Sequence, residues 1–376
     1  MRPSAASADA GLYVHVPFCL TRCGYCDFNA YAGLSHLGPA YADALRREAR
    51  LHAGEWAGVR FVSIYLGGGT PTTLAPEAIA ALIEAFRGHF DVAPGAEVTC
   101  EANPDTVDRA YLERLRAAGI TRLSMGVQSF DPAVLASLER IHSADSARRA
   151  FGDARASGFD DVNLDFIYGA RGETLASWRG TLDEAVAIEP DHLSCYALTV
   201  EPGTPLRHKV ASGRIPAPDP DLQADLYEAA CERLAAGGYE HYEVSNWAQP
   251  GHECLHNLGY WEGRPYLGLG AGAHSFHHGR RWWNVRLPQR YLDQLGAGRL
   301  PIEGEERPDP AEAELERVFL SVRLARGVPE SWVPADVARA YLSGGLARRR
   351  AGRFALTDRG MLLANDLVLA LEARDC

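Results

Sequence analysis

From Gly11 to Thr199 the chain repeats one pattern of hydrophobic and polar positions. Each repeat has a short apolar run ending in a polar or glycine-rich turn, then a longer segment with apolar residues three and four positions apart. The first kind of run predicts a buried strand and the second an amphipathic helix. Six runs are candidate strands: GLYVHVPF, VRFVSIYLGGG, AEVTCEANP, TRLSMGVQSF, DVNLDFIYG and HLSCYALTV.

The segments between these runs predict crossover helices. They read APEAIAALIEAFRGHF, DRAYLERLRAAG, DPAVLASLERI with SADSARRAFGDARASG, and TLASWRGTLDEAVAI. Strands that alternate with helices predict an α/β fold with a parallel sheet. Six units are too few to close an eight-stranded barrel, so we expect a partial (β/α)6 barrel or an open sheet. In either fold the functional residues gather at the carboxyl ends of the strands.

After Thr199 the pattern changes, and this change suggests further domains. A proline-rich stretch leads into a helix near residues 223–236 and an aromatic segment, YEHYEVSNWA. The last part holds a helix, AEAELERVFLSVRLARG, and a strand followed by a second helix with Thr357 as its N-cap. We therefore divide the chain into a core at 1–205, an extension at 206–300 and a small, mostly helical domain at 301–376 that resembles a winged helix.

Composition and charge narrow the range of partners. The 376 residues carry a net charge of −11, which disfavours binding to nucleic acid or to an anionic membrane surface. The first residues, MRPSAASADAG, lack the apolar region of a signal peptide, and no apolar run approaches the roughly 20 residues that span a bilayer. We expect a cytoplasmic protein without an integral membrane segment. The scattered thiols fit a reducing compartment, and they are Cys100, Cys195, Cys231, Cys254 and Cys376.

Three further cysteines, Cys19, Cys23 and Cys26, lie within eight positions of the segment HVPFCLTRCGYCDF. Crowded thiolates bind soft metals, so the alternatives are zinc, an iron–sulfur cluster or unrelated buried thiols. Structural zinc needs four ligands, and His15, on the predicted first strand, is the nearest fourth candidate. A four-iron cluster held by three cysteines leaves one iron open for another molecule.

The C-x3-C-x2-C spacing after the first strand resembles the hallmark of the radical S-adenosylmethionine (SAM) family. The resemblance implies a [4Fe-4S] cluster whose open iron is chelated by SAM, and a reductant that lets the cluster cleave the sulfonium bond. Tyr25 matches the family's aromatic residue near the adenine. The turn GGGTP, residues 67–71, lets backbone groups approach the SAM amino group, although such a turn is also common between a strand and a helix.

Within this family the chain resembles the oxygen-independent coproporphyrinogen oxidase-like branch over nearly its whole length. Carboxylates can accept hydrogen bonds from ribose hydroxyls or an ammonium group, and an arginine can pair with a carboxylate. Each such residue alone could also be a strand-end cap or a surface ion pair. The resemblance implies that SAM contacts eight positions: Tyr13, Gly68, Gly69, Thr70, Glu101, Gln128, Arg140 and Asp165.

Two features separate the chain from the oxidases of this branch. The oxidases carry a further cysteine two residues after the third, and Phe28 occupies that position here. They also tend to have a long N-terminal extension, whereas twelve residues precede Tyr13. An oxidase that decarboxylates coproporphyrinogen III, or another radical SAM enzyme, remains the first alternative function. A zinc-stabilised binding module is the second.

The segment HNLGYW, residues 256–261, resembles the H-N-x-x-Y-W signature of HemW-type heme chaperones. These proteins are thought to bind heme and pass it to heme-requiring proteins such as respiratory enzymes. The resemblance makes heme a third cofactor, with His256 as a candidate iron ligand and Asn257, Tyr260 and Trp261 beside it. In the alternative interpretation, His256 and Asn257 satisfy backbone groups while the two aromatic rings pack on the core.

Two weaker candidate groups lie near this segment. Three potential ligands in the extension are His241, His252 and Cys254. The stretch HSFHHGRRWW, residues 274–283, combines histidine, arginine and tryptophan, and its arginines could pair with heme propionates. We expect this stretch to be a solvated loop anchored by its aromatic residues, and we leave it outside the predicted site.

Overall fold

The computed structural model describes residues 9–372. Within this range the strands are β1 (Asp9–Val16), β2 (Phe18–Cys19), β3 (Tyr31–Ala32), β4 (Arg60–Gly68), β5 (Asp91–Ala102), β6 (Arg122–Gln128), β7 (Val162–Tyr168), β8 (His192–Ala197), β9 (Glu240–Glu243), β10 (Asn246–Ala248), β11 (Tyr266–Leu269), β12 (His274–His277), β13 (Arg280–Asn284), β14 (Ile302–Glu306), β15 (Val328–Pro329), β16 (Ala347–Arg350) and β17 (Arg353–Leu356). The described range excludes Cys376. It also excludes residues 1–8, which are most of the N-terminal segment in which no signal peptide is predicted.

The helices alternate with the strands in the first half of the chain and dominate its last part. They are α1 (Gly38–His52), α2 (Pro76–His89), α3 (Arg109–Ala117), α4 (Pro132–Ser137), α5 (Ala144–Ala156), α6 (Leu175–Ala187), α7 (Pro205–Ala211), α8 (Pro220–Ala236), α9 (Leu255–Trp261), α10 (Pro288–Gly296), α11 (Pro310–Ser321), α12 (Ala335–Ser343), α13 (Asp358–Met361) and α14 (Ala364–Glu372). Among the described residues, no helix combines the length and apolar character that crossing a bilayer requires.

All six strands predicted from the apolar runs form, and they lie side by side in parallel. The order is β1-β4-β5-β6-β7-β8. Their side chains are largely buried on both faces, as expected for a parallel sheet covered by helices. The predicted α/β fold of a partial (β/α) barrel is confirmed, and the carboxyl ends of the six strands meet at one edge.

Local signals in the sequence explain where the crossover helices begin. Asp108 caps α3 by accepting the Tyr111 backbone N–H at 2.8 Å, and Ser143 and Thr174 form capping boxes at the starts of α5 and α6. These helices were predicted from their periodicity. The first crossover helix, α1, was not predicted, although it has Pro39 in its first turn and buries an apolar face that includes Leu45.

The sheet does not stop at its six predicted strands. It continues on both sides in the order β14-β13-β12-β11-β1 and β8-β10-β9, giving twelve strands within the described residues. β11 pairs with β1 in parallel, so Leu267 lies beside Leu12 although 255 positions separate them in the chain. Residues assigned to the extension therefore complete the same sheet as the core, and the boundary near residue 205 stays a prediction.

The stretch HSFHHGRRWW, expected as a solvated loop, is instead the hairpin of β12 and β13. That expectation is wrong because alternate side chains face the interior: Ser275, His277 and Trp282 are buried. The arginine side chains of this hairpin pair with carboxylates: Arg280 pairs with Glu305, and Arg281 with Glu306.

The last 60 or so described residues form a small helix-rich unit. It contains α11 to α14 and a three-stranded sheet in the order β15-β17-β16. Thr357 caps α13 by accepting the Gly360 N–H at 3.2 Å, as predicted. The unit joins the large sheet through a backbone bridge between Leu324 and Glu243. The resemblance of this unit to a winged helix stays a prediction.

Candidate functional site

The three clustered cysteines lie at the carboxyl edge of the sheet: Cys19 ends β2, and Cys23 and Cys26 lie in the loop between β2 and β3. The short strands pair Phe18 with Tyr31, which closes the loop at its base. The Cys26 N–H donates to the Cys23 carbonyl at 3.1 Å, so the last two cysteines flank a tight turn. All three are half-buried free thiols. Burial raises the pKa of Cys19 and Cys26 and thereby favours their neutral thiol forms. A bound metal cation would favour the thiolate forms instead.

The glycine-rich turn after β4 packs directly against the base of this loop. Gly69 N–H donates to the Val16 carbonyl at 2.9 Å, and Thr70 N–H donates to the Phe18 carbonyl at 2.8 Å. A Cβ at Gly69 would lie 2.8 Å from the Phe18 carbonyl oxygen, so a side chain there would force the two segments apart. The Thr70 hydroxyl donates to Cys19 Sγ at 3.6 Å. The turn therefore fixes the position of the first cysteine.

Arg140 connects the cysteine loop to the next strand end. Its Nη1 donates to Cys23 Sγ at 3.4 Å, and its Nη2 donates to Asn103 Oδ1 at 2.5 Å. Asn103 Nδ2 in turn donates to the Thr70 hydroxyl at 2.9 Å. The remaining guanidinium nitrogen, Nε, is buried and makes no hydrogen bond within the described residues. An arginine with an unused buried donor at a cavity suits an anionic ligand group.

Two half-buried carboxyl groups face the same space from β5 and β7. Glu101 accepts the Tyr65 hydroxyl at 2.8 Å on one oxygen and the Gly68 N–H at 3.1 Å on the other. Asp165 accepts the Ser124 hydroxyl at 2.8 Å. Burial raises the pKa of Glu101 to about 7 and also raises the pKa of Asp165. Partly desolvated carboxyl groups with raised pKa values in a cavity indicate a site for a cationic ligand.

Gln128 and Tyr25 complete this side of the cavity. Gln128 ends β6 with φ of +66°, the left-handed region that non-glycine residues seldom adopt. Such strained positions cluster at ligand sites. The Tyr25 ring, within the cysteine loop, lines the cavity and packs against a small apolar cluster that includes Leu138 and Leu198.

These residues line one open cavity of about 430 Å³ at the carboxyl edge of the sheet. Its volume lies within the usual range of small-molecule sites, about 300–1,000 Å³. The cavity brings together eleven of the twelve residues predicted for the cluster and SAM: Cys19, Cys23, Cys26, Tyr25, Gly68, Gly69, Thr70, Glu101, Gln128, Arg140 and Asp165.

The twelfth, Tyr13, does not line this cavity. Its hydroxyl hydrogen-bonds His15 Nδ1 at 2.9 Å, and His15 Nε2 hydrogen-bonds the Asn29 carbonyl at 2.9 Å. Because a carbonyl only accepts, Nε2 carries the proton and Nδ1 accepts from Tyr13. Both nitrogens of His15 are thus engaged within the protein, which weakens the case for His15 as a fourth zinc ligand.

The HNLGYW segment forms α9, which lies beside a smaller inner chamber of about 190 Å³. The structure brings His256, Asn257 and Tyr260 to this chamber, which shares Tyr65, Ser124, Asp165 and Tyr196 with the open cavity. His256 Nδ1 hydrogen-bonds the Ser63 hydroxyl at 2.9 Å, and Nε2 hydrogen-bonds the Tyr260 hydroxyl at 3.1 Å. Burial lowers the pKa of His256 to about 3, so the ring is neutral.

The fourth residue of the signature, Trp261, does not line the chamber and lies beside the C-terminal unit. Asn257 Nδ2 donates to the Tyr242 hydroxyl at 3.2 Å. The Arg323 guanidinium lies over the Trp261 ring, 6.0 Å from its centroid. Three of the four residues predicted to contact heme therefore line one chamber, and Trp261 lies apart from them.

The weaker candidates do not converge on a shared site. Each has its own carboxylate partner: His241 is 3.0 Å from Asp358, His252 is 3.6 Å from Asp161, and Cys254 Sγ is 3.5 Å from Glu97. The Cys231 sulfur also lies within 4.8 Å of the His241 and Asp358 ligand atoms, at the joint with α13.

A side pocket adjoins the cysteine loop on the far side of Tyr25. There Lys209 Nζ pairs with Glu139 at 2.5 Å. Gly24 packs so closely that a Cβ would lie 2.6 Å from the Glu139 carboxylate. This ion pair therefore supports the turn between the second and third clustered cysteines.

Sequence reasoning missed two residues that shape the cavity, Tyr65 and Asn103. Asn103 lies within the EANP motif at the end of β5, and its bond to Arg140 was not foreseen. Tyr65 lies two residues before the glycine turn, on the face of β4 that alternation assigns to the interior. Alternation could have identified Tyr65 as inward-facing, but not its bond to Glu101.

Comparison with known proteins gives related matches over most of the chain. The family model described as the radical SAM superfamily matches residues 13–185. The heme chaperone HemW of Mycobacterium tuberculosis is 45% identical over 368 residues, covering 96% of this chain and 94% of that protein. The heme chaperone HemW of Escherichia coli is 33% identical, covering 95% of this chain and 96% of that protein.

Among solved structures, coproporphyrinogen III oxidase (HemN) of Escherichia coli, described as a radical SAM enzyme, matches with a TM-score of 0.83. The match covers 97% of this chain and 90% of that chain at 24% sequence identity. At this identity the similarity concerns the fold alone.

Proposed function

Because the chain belongs to the HemW family of radical SAM proteins, we propose that it is a heme chaperone. In this proposal it carries a [4Fe-4S] cluster and SAM, binds heme and delivers it to heme-requiring proteins, with an external reductant for the cluster. The observation that carries the proposal is the placement of three free, half-buried cysteines at the rim of one cavity together with Glu101, Asp165 and Arg140.

The donor groups of the cavity fit the two cofactors that the family implies. Three thiols supply the soft ligands that an iron–sulfur cluster needs, and they are too few for a closed structural zinc site. Glu101 and Asp165 offer acceptors for an ammonium group or ribose hydroxyls, and the unused Nε of Arg140 offers a donor for a carboxylate. A bound cluster would supply redox chemistry and an open coordination position.

Within this proposal each side chain has a defined task. Cys19, Cys23 and Cys26 hold the cluster. Gly68, Gly69 and Thr70 present backbone and hydroxyl groups to the amino acid end of SAM, while Tyr25 offers a ring for the adenine. The remaining SAM contacts are Glu101, Gln128, Arg140 and Asp165, with Tyr13 behind them.

The heme contacts assigned from sequence to His256, Asn257, Tyr260 and Trp261 stay a prediction. For His256 to ligate iron, its ring must release one of its two hydrogen bonds, to Ser63 or to Tyr260, because a single ring nitrogen coordinates the metal. The chamber it faces, about 190 Å³, adjoins the open cavity of about 430 Å³, and the two share four lining residues.

We favour a chaperone over a coproporphyrinogen oxidase because of the position that the oxidases fill with a fourth cysteine. Phe28 occupies it here, at the cavity rim, with 65% of its surface exposed. An exposed aromatic ring supplies an apolar contact surface and no thiol chemistry.

The test begins with anaerobic reconstitution of the purified chain with iron and sulfide. We expect four irons and four acid-labile sulfides per chain, lost in the Cys23→Ala variant and retained in the control Cys231→Ala. Zinc without sulfide would favour the binding module instead.

Heme titration of the same cluster-loaded protein tests the chaperone itself. We expect a saturable change in heme absorbance and transfer of the bound heme to an apo-hemoprotein. Absence of saturable binding would contradict the proposal, and conversion of coproporphyrinogen III by the protein with SAM and a reductant would favour the oxidase.

A further inference from the structure

The helix that carries the HNLGYW signature is fixed against the interior of the barrel. The Glu97 carboxylate on β5 accepts the backbone N–H groups of Leu255 at 3.1 Å and of His256 at 3.2 Å. Glu97 and Glu101 are four residues apart on the same strand, so their side chains lie on the same face. The strand β5 thus anchors α9 through Glu97 and also carries Glu101, the carboxylate that we propose contacts SAM.

The His256 ring fills a tightly defined place on this inner face. The residue is 4% exposed, and both ring nitrogens bond to protein hydroxyls. β1 passes so close that a Cβ on Gly11 would lie 3.0 Å from the ring. A ring packed and hydrogen-bonded in this way has one orientation, and it can hold its neighbours in place.

The neighbour it holds is Tyr65, which bonds to Glu101. The rings of His256 and Tyr65 stack with centroids 5.1 Å apart at 23°. The centroid of the Tyr13 ring lies 6.3 Å from the centroids of both the Tyr65 and the His256 rings. The Tyr65 hydroxyl then donates to Glu101 Oε1 at 2.8 Å, while Gly68 N–H holds the second oxygen.

We propose that His256 is a positioning residue for the SAM site, acting through Tyr65 on Glu101 rather than on heme iron. The inference rests on the proposed function, because it takes Glu101 as a SAM contact. It assigns the signature histidine to binding of the sulfonium cofactor and leaves heme to other residues. A positioned acceptor binds its ligand more tightly than a mobile one, because less side-chain freedom is lost on binding.

Three variants separate the elements of this connection. His256→Gln retains hydrogen-bonding capacity but removes the ring, His256→Phe retains the ring, and Tyr65→Phe retains the stack but removes the donor to Glu101. His89→Gln, on the outer helix α2, is the matched control. Each protein is loaded with cluster under anaerobic conditions, checked by circular dichroism, and titrated separately with SAM and with heme.

We expect His256→Gln and Tyr65→Phe each to weaken SAM binding about tenfold, as for loss of one positioned interaction near 1.4 kcal/mol. The double variant should be little weaker than either single one, because both changes interrupt the same connection. His256→Phe should bind SAM within about threefold of the unsubstituted protein, because the stack persists. Heme affinity should be unchanged in the three single variants and in the double variant.

The pH profile provides a readout that a general loss of stability would not move. The groups that face Glu101 are Tyr65, Tyr13 and Asp165, and the Tyr65 hydrogen bond lowers the Glu101 pKa. In Tyr65→Phe the pH midpoint of SAM binding should therefore move upward, whereas His89→Gln should leave it in place.

Two results would overturn the inference. If the unsubstituted protein binds SAM and His256→Gln binds it equally well, His256 does not position the site, and a simultaneous loss of heme binding would assign it to heme. If the unsubstituted protein binds no SAM, the proposed SAM site fails and this inference fails with it.

Discussion

Glu101 is half-buried at the cavity, and its charge state controls what it can bind. Its pKa is raised to about 7 by burial, so the carboxyl is protonated below that pH and ionised above it. Only the ionised form attracts an ammonium group with full charge. Because SAM binding would favour ionisation, affinity should rise as pH rises through 7.

We expect SAM affinity to fall about tenfold between pH 8 and pH 6, which is the loss that proton competition at a pKa near 7 produces. Equilibrium titration of cluster-loaded protein across this range measures it. In Glu101→Gln the affinity should be lower and nearly independent of pH. A pH profile that is the same in both proteins would contradict the assignment.

The strained backbone of Gln128 leads to a second prediction. Its φ of +66° lies in the left-handed region, where a side chain costs about 1 kcal/mol relative to glycine. Gln128→Gly should therefore raise the free energy of unfolding by about 1 kcal/mol while weakening SAM binding. The control Ala351→Gly, at φ of +49° in an exposed turn, should show the gain in stability without the loss of binding.

At this scale the sequence predicts which residue types meet, but not how they bond. Spacing and the family resemblance identified eleven residues that line one cavity. Asn103 and Tyr65 were missed because their importance lies in contacts to Arg140 and Glu101 across the sheet. His256 was interpreted as a heme ligand because its motif says nothing about which way the ring faces.

One buried carboxyl group on α1 joins this helix to the residue after β11, to the end of β13 and to α10. Glu48 accepts hydrogen bonds from the Gly270 N–H at 2.8 Å, from Asn284 Nδ2 at 2.6 Å and from the Tyr291 hydroxyl at 2.5 Å. Burial raises its pKa. These bonds fix the added strands to the first crossover helix.

Glu48→Ala should lower the free energy of unfolding by about 3 kcal/mol, because it leaves three buried donors without their acceptor. Chemical denaturation monitored by circular dichroism measures the change. Glu84→Ala, at an exposed position on α2, is the control and should change stability by less than about 0.5 kcal/mol. Equal effects at the two positions would show that Glu48 is not a structural centre.

The six parallel strands and most of their helices could be predicted because their signals are local. Apolar runs of five or more residues alternate with helical periods, and each half of the pattern supports the other. β11 has four residues, and its partner β1 lies some 250 positions earlier. No local period reveals such a pairing, so the twelve-stranded sheet could not be derived from the sequence.

For the whole molecule, the continuous sheet predicts that the core depends on later residues. A fragment of residues 1–205 would lose β11 from the edge of β1 and α9 from the barrel interior. Open apolar edges associate, so we expect this fragment to aggregate. A fragment of residues 1–306, which keeps all twelve strands, should remain soluble and helical by size-exclusion chromatography and circular dichroism. A soluble, folded 1–205 fragment would instead support an independent core domain.

Lysine occurs once in the sequence, at position 209, and its ammonium group faces Glu139 beside the cysteine loop. After acylation of the α-amino terminus near neutral pH, where that group titrates well below a lysine, an amine-directed dye would label this one side chain. The fluorophore would lie next to Gly24 and Tyr25. The protein therefore offers a native attachment point for an optical reporter of cofactor loading, with every thiol left intact.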